Sequence, residues 1–520
     1  MNTALSDSVL VDRRAFLRLA GAGAAAFALG GCPVPRGLRT TRTKPPLPAN
    51  IILIYVDDLG WKDVGYMGNG YYETPHIDAL AHEGVVFTNA YANAPNCAPS
   101  RACLLSGQYP PRHGVYTVGR STRGAARLRK LIPIPNKETL DPGVVTIAEA
   151  LRPAGYACAS IGKWHLGDDP EAGPLAQGFD VNVGGNHVGH PRSYFCPYQN
   201  PDLSDGPRGE YLTDRLTDEA LRFIHENSRR PFFLYLSHYA VHTPLQAPKN
   251  LVAKYDAKHL PEVYDPRYAA MIESVDQGVG RVMETLRELG LDERTIVIFY
   301  SDNGARSICT SLAPLRGSKG MLYEGGIRVP LVVRWPGHIE PETCDEPVIG
   351  TDLYPTILAA AHAPVPAGTV LDGENLLPLL TRHQPLPDRA LYWHFPAYLE
   401  AGGDVDGIWR TTPAGAIRYG DWKLIEFFED NRLELYNLRD DIGEKKNLAT
   451  AEPEKTRQLL EMMRAWRSRV HAPVPTERNP AYRPTPPRRR KRRKRHPRRR
   501  HGLRRPAMRG PTRPKPRKDH

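Results

Sequence analysis

Cysteine is scarce in this chain, with 7 in 520 residues, and none of Cys32, Cys97, Cys103, Cys158, Cys196, Cys309 and Cys344 stands in a C-x-x-C spacing. That excludes a disulfide framework and a zinc knuckle. Aromatic residues make up 8% and do not interleave with the basic runs, so specific nucleic-acid recognition is not expected. The apolar run from Leu19 to Gly31 is too short to span a membrane. Acid is short of base overall, for a net charge of +13, but the excess is local. Arg488 to His520 holds 18 Lys and Arg against the single acid Asp519, or +17, which leaves 13 − 17 = −4 for the other 487 residues. Polyanion binding therefore belongs to the tail.

What is present begins with hydrophobic residues, 41% of a chain long enough for one large core and a second, smaller one. Asp12-Arg13-Arg14-Ala15-Phe16-Leu17-Arg18, ahead of the short apolar run, matches a twin-arginine export signal. Leu29-Gly30-Gly31-Cys32 resembles a bacterial lipobox, in which Cys32 would carry lipid. The alternative is ordinary cleavage and release. The expected location is periplasmic or cell-surface, with release into the periplasm or medium under the alternative. The organisation expected is a signal over 1–32, a Pro- and Thr-rich linker over 33–49, a catalytic α/β domain over 50–370, a smaller subdomain over 371–475, and a disordered basic tail over 476–520.

Buried strands punctuate the large domain. Asn50 to Val56 is a continuous apolar run, as expected of a strand covered on both faces, and it ends in Asp57-Asp58. Gly155 to Gly162 delivers Lys163-Trp164-His165. Pro231 to Leu236 leads to His238 and His242-Thr243-Pro244, and Thr295 to Tyr300 leads to Ser301-Asp302-Asn303-Gly304. Helical patterns over Leu212 to Glu226 and Tyr268 to Leu289 lie between them. Strands alternating with helices predict a large, doubly wound, mostly parallel sheet flanked by helices. Ligands of such sheets bind beyond the carboxyl ends of the strands, where these polar clusters fall.

Asn96-Cys97-Ala98-Pro99-Ser100-Arg101, running into Ala102-Cys103-Leu104-Leu105-Ser106-Gly107-Gln108, places a thiol and a fixed cation on a strand-to-helix turn. Asp57, Asp58, Asp302 and Asn303 offer only oxygen, which suits a hard cation such as Ca²⁺ or Mg²⁺ rather than zinc. Arg101, Lys163, His165, His242 and Lys319 carry or can carry positive charge. A cation site ringed by such groups suits a charged oxyanion in transfer.

The Cys97 run resembles the type I sulfatase signature, C-x-P-S-R with a downstream apolar pair, a small hydroxyl residue and Gly. The Asp-Asp strand end, Gly-Lys-x-His, His-Thr-Pro, Ser-Asp-Asn-Gly and Arg316-Gly317-Ser318-Lys319-Gly320 followed by Tyr323 to Pro330 are similar, in order and separation, to bacterial arylsulfatase-like members of the alkaline phosphatase superfamily. Ser106 and Cys158 depart from the pattern at positions without a catalytic role. The resemblance implies that a maturation enzyme oxidises Cys97 to formylglycine. The hydrated aldehyde would attack the sulfur of a sulfate monoester, then expel sulfate. It also implies that Asp57, Asp58, Cys97, Asp302 and Asn303 hold Ca²⁺, with Mg²⁺ as the alternative. Arg101 and Lys163 would stabilise the ionised diol, His165 would take its proton, and His242 and Lys319 would bind sulfate oxygens and assist the leaving group.

Beyond Leu371, short strands over Ala390 to Phe395, Ala416 to Tyr419, Trp422 to Phe427 and Glu434 to Asn437, with a closing helix over Glu452 to Val470, predict an α+β subdomain with an antiparallel sheet. His394, Tyr398 and Trp409 are expected to serve packing before substrate. The tail suits an anionic polysaccharide or lipid surface. Two rivals to sulfate ester hydrolysis stay open at this point: a phosphonate monoester hydrolase or phosphodiesterase of the same superfamily, and a silent anion-binding lipoprotein.

Overall fold

A computed structural model describes residues 48–258, 263–402 and 405–483. The expected signal, its Cys32 and the tail beyond Arg483 lie outside the described residues. Eight strands form the main sheet: β1 (Asn50–Val56), β2 (Val85–Phe87), β3 (Ala157–Gly162), β4 (Val181–Val183), β5 (Phe232–Ser237), β6 (Thr295–Ser301), β7 (Leu331–Arg334) and β8 (Glu342–Cys344). Their order is β4-β3-β5-β1-β6-β7-β2-β8. The five strands from β4 to β6 are parallel, and β7 runs antiparallel to both of its neighbours.

Side chains alternate across a strand, so a fully apolar strand feeds two cores. On β1, Ile52, Ile54 and Val56 join one buried cluster, while Ile51, Leu53 and Tyr55 join another. The first is covered by α1 (Pro75–His82), α3 (Leu212–Glu226) and α4 (Pro266–Glu288), through residues such as Leu80, Leu216, Phe223, Met271 and Val279. The second is covered by α2 (Cys97–Ser106) and α5 (Leu353–Ala360), through Leu104, Leu105, Ile357 and Leu358. This is the doubly wound arrangement expected.

The antiparallel subdomain is also present, as β9 (Ala390–Phe395), β10 (Ala414–Tyr419), β11 (Trp422–Phe427) and β12 (Arg432–Asn437) in sequential order. Its closing helix is α6 (Pro453–Arg469), which buries Leu459, Met463 and Trp466 against the sheet. Some boundaries differ from expectation. Helix α4 begins at Pro266 because Asp265 caps it, accepting from the Arg267 amide at 2.9 Å. Leu376, Leu379 and Leu380, just past Leu371, pack in the second core. Residues 476–483, read as tail, run beside residues 127–132, with the Ile132 amide donating to Glu477 and the Asn479 amide to Lys130, both at 2.9 Å. Among the described residues no helix is long and apolar enough to cross a membrane.

Candidate active site

Parallel pairing of β3, β5, β1 and β6 puts their carboxyl ends on one edge. That edge collects Lys163 and His165, His238 and His242, Asp57 and Asp58, and Asp302 and Asn303. Gly162 makes the turn into Lys163: its φ is +103°, and a Cβ there would lie 2.0 Å from the Ser237 carbonyl oxygen. Cys97 is the first residue of α2, which is buried along its length. Lys319 arrives from a separate loop, its amide donating to the Ala305 carbonyl at 3.0 Å.

These side chains form one network. Lys319 Nζ donates to Cys97 Sγ at 3.0 Å and pairs with Asp58 Oδ1 at 2.5 Å. Cys97 Sγ donates to Asp57 Oδ1 at 3.4 Å, and Lys163 Nζ pairs with Asp57 Oδ2. Arg101 sends Nε and Nη2 to Asp302 Oδ2 at 3.2 and 2.9 Å, and Nη1 to the Lys163 carbonyl at 3.0 Å, to Tyr235 and to Ser237. Asp302 Oδ1 accepts from the Asp58 amide at 3.1 Å, and Asn303 Nδ2 donates to Asp58 Oδ1 at 2.7 Å. His242 Nε2 is 3.6 Å from Asp58 Oδ2, while its Nδ1 donates to the Thr243 carbonyl at 2.7 Å.

The cluster is electrically balanced: Asp57, Asp58 and Asp302 against Arg101, Lys163 and Lys319. Burial pushes the Cys97 thiol up to about 12, with Asp57 adding to the effect, so the unmodified thiol is protonated at neutral pH and a poor nucleophile. Burial and the nearby cations, Lys319 first, hold His242 down at about 3. Burial, Lys163 and Arg101 keep His165 well below its ordinary value. Although burial opposes it, Lys319 and His242 hold the Asp58 carboxyl below the usual range, whereas burial and Asp57 push Asp302 up to about 6.

Oxygen atoms suited to a cation are present. Asp57, Asp58, Cys97 and His242 bring ligand atoms within 4.8 Å of one another. Asp58 Oδ2 and Asn303 Oδ1 are buried without a hydrogen-bond partner, a costly state that a cation relieves. Asp302 is the expected member that has already committed its oxygens, to Arg101 and the Asp58 amide. The donor set therefore fits a hard divalent ion.

The site opens into a cavity of about 540 Å³ lined by Cys97, His165, His242 and Lys319, with Arg123, His187, His190, Arg306, Glu400 and Arg410 on its more exposed walls. These last six were not singled out from the sequence. Arg410 also donates to the Lys319 carbonyl at 2.9 Å and to Ser318 Oγ at 3.2 Å. His165, at φ +66°, keeps a ring nitrogen without a partner. His238 is fully buried with neither ring nitrogen bonded. His394 and Tyr398 serve packing: His394 Nε2 bonds the Pro473 carbonyl, and the Tyr398 hydroxyl bonds Glu429 and the Leu131 amide. The six described cysteines carry no disulfide.

Comparison with known proteins agrees with this arrangement. Residues 49–363 match the family model described as Sulfatase, and residues 318–469 match that of the N-sulphoglucosamine sulphohydrolase C-terminal region. A "Sulfatase" of Formosa agariphila is 35% identical, over 82% of this chain and 90% of its own length. The N-acetylgalactosamine-6-sulfatase of Homo sapiens is also 35% identical, over 67% of this chain and 69% of its own. The crystal structure of Ps i-CgsB in complex with k-i-k-neocarrahexaose superposes with a TM-score of 0.68 at 31% identity, covering 81% of this chain and 92% of that one.

Proposed function

This chain belongs to the sulfatase family and is a sulfuric ester hydrolase, and from that premise we propose that it cleaves carbohydrate sulfate monoesters at a formylglycine made from Cys97 beside a hard divalent cation. One observation carries the reading: Cys97 opens a buried helix inside a ring of three carboxylates and three cations, at a cavity large enough for a sugar. When present, the formylglycine hydrate would supply the nucleophilic hydroxyl and the second hydroxyl that lets sulfate leave, and the cation would supply Lewis acidity. Asp57, Asp58 and Asn303 would hold that cation, with Ca²⁺ favoured over Mg²⁺ for a site that draws carboxylates and an amide oxygen from separate strands.

The remaining residues have duties that follow from their placement. Lys319 stays protonated beside Asp58 and Cys97 and binds a sulfate oxygen. Arg101 fixes Asp302 and the Lys163 backbone, and so sets where the Lys163 ammonium stands. His165 is neutral, with an unpartnered nitrogen to take a proton from the nucleophile. His242 is neutral in the free site, and an anion in the cavity would raise its proton affinity, so that Nε2 can protonate the leaving oxygen. Adding a divalent ion shifts the balanced cluster by +2, which matches it to a sulfate group gaining charge in the transition state.

The test is sulfate release by protein produced with a formylglycine-generating partner. N-acetylgalactosamine 6-sulfate is expected to exceed aryl phosphonates and phosphodiesters in kcat/KM. A preference for the phosphorus esters, or no turnover by formylglycine-bearing protein, would overturn the reading. We further propose export by the N-terminal signal with lipid on Cys32; mass spectrometry of the native N-terminus would show a lipidated Cys32, or contradict it with a cleavage elsewhere.

A further inference from the structure

We propose that the surface formed by residues 119–134 and 476–483 is a docking site for a sulfated polysaccharide, continuous with the catalytic cavity; this rests on the sulfatase reading above. The two stretches contain Arg120, Arg123, Arg127, Arg129, Lys130, Arg478 and Arg483 against one carboxylate, Glu477. They stand in a region of sequence that is otherwise mildly acidic, so the placement is local rather than compositional.

The backbone holds these cations together. Arg129 folds back onto its own loop, donating to the carbonyls of Thr122, Arg123 and Gly124 at 2.7, 2.9 and 2.6 Å. The 476–483 stretch then lies against it: the Arg483 amide donates to the Arg127 carbonyl at 2.8 Å, and Asn479 Nδ2 donates to the Ala126 and Arg129 carbonyls. Lys130 is neutralised by Glu429 at 3.5 Å. Arg120, Arg123, Arg127, Arg478 and Arg483 have no carboxylate partner among the described residues, and Arg120, Arg127, Arg478 and Arg483 are exposed. Exposed cations without carboxylate partners, carried on main chain that pairs, attract a polyanion by releasing its counterions.

Two features select the occupant. Arg123 belongs both to this surface and to the wall of the Cys97 cavity, which gives a chain with one sulfate at Cys97 a route onto the patch. Beside Arg123, Gly124 sits against the half-buried Trp409, whose ring is 4.8 Å from that of Tyr398; a Cβ on Gly124 would lie 2.6 Å from the indole and 3.3 Å from the Glu400 side chain. An indole next to arginines suits an anionic sugar ring better than a lipid headgroup or a base pair.

The experiment uses the full chain and the variant R120E/R127E/R478E, whose changes are exposed and outside the cavity. Two readouts are taken: retention on dextran sulfate, and the ratio of kcat/KM for chondroitin sulfate chains to that for N-acetylgalactosamine 6-sulfate. The variant is expected to elute at lower salt, to lower the ratio by about tenfold or more, and to flatten the log KM against log salt slope for the chain by about 1 per cation removed. An unchanged ratio with unchanged retention overturns the proposal. So does a variant that loses affinity only for anionic vesicles or DNA. If the wild type releases sulfate from neither substrate, the sulfatase reading fails separately, and retention alone then decides whether the patch binds sulfated polymer.

Discussion

Lys319 Nζ lies 3.0 Å from Cys97 Sγ, joining residues 222 positions apart in the chain. The contact is built from both sides, since the Gly320 amide donates to the Pro95 carbonyl at 2.6 Å just before α2, and Arg410 of the subdomain holds the Lys319 carbonyl at 2.9 Å. Lys319→Ala is expected to lower kcat/KM for a sulfate ester by about 10²- to 10³-fold, the scale for losing one charge-stabilising donor. Steady-state kinetics on protein with matched formylglycine content checks this; a change under threefold would remove Lys319 from the site.

Arg101 bears on stability as well as chemistry. It is completely buried and donates to Asp302, the Lys163 carbonyl, Tyr235 and Ser237. Lysine cannot reproduce that fork. Arg101→Lys should destabilise the fold by about 2–4 kcal/mol, and Arg101→Met by more, because Asp302 is then left as an uncompensated buried charge. Denaturant melts of both variants read the order.

Binding of a divalent cation should appear as stabilisation. At a Ca²⁺ concentration about 100 times its Kd, the gain is about 2.7 kcal/mol. Asp58→Asn should abolish the response by removing one of the two carboxylates from the group that Asp57, Asp58, Cys97 and His242 form. A thermal midpoint that Ca²⁺ and Mg²⁺ leave unmoved in the wild type would contradict the cation assignment.

Asp276 gives the fold a pH dependence away from the site. Burial pushes its carboxyl up to about 7, against the amides of His76 and Ile77 that donate to it at 2.9 and 2.8 Å, and with Asp78 and Glu273 adding repulsion. The unfolded carboxyl titrates near 4, so between about 4 and 7 the native state binds the extra proton. This contribution to stability is complete below about pH 4 and is lost as pH rises through 7. Asp276→Asn keeps an acceptor for both amides, and should flatten the slope between pH 5 and 8, leaving the variant as stable as the wild type or about 1 kcal/mol more stable at pH 8. Urea midpoints across that range measure it.

Much of the fold was legible because β1, β5 and β6 are buried on both faces and so read as largely apolar runs, and because these strands and β3 each lead into reactive residues. The site followed from that edge, and Cys97, Arg101, Lys163, His165, His242, Lys319 and the acidic set all converge on it. Other features were hidden for physical reasons. Arg410 sits in a three-residue strand with no pattern of its own, and its contacts with Ser318, the Lys319 carbonyl and the cavity exist only in the folded chain. Arg123 and Arg478 are brought to one surface by main-chain pairing between 127–132 and 476–483, which no side-chain periodicity encodes. The 476–483 stretch looked like tail because its charges and its proline resemble the basic run that follows, yet backbone hydrogen bonds hold it.

The most direct measurement is the mass of the tryptic peptide from Asp63 to Arg101, in which Cys97 is the only cysteine, taken from protein made with a formylglycine-generating partner and correlated with sulfate released per mole. The expected result is an aldehyde in place of the thiol, with activity proportional to the aldehyde fraction and absent from Cys97→Ala. Full activity in protein whose peptide carries only unmodified cysteine would contradict the formylglycine mechanism.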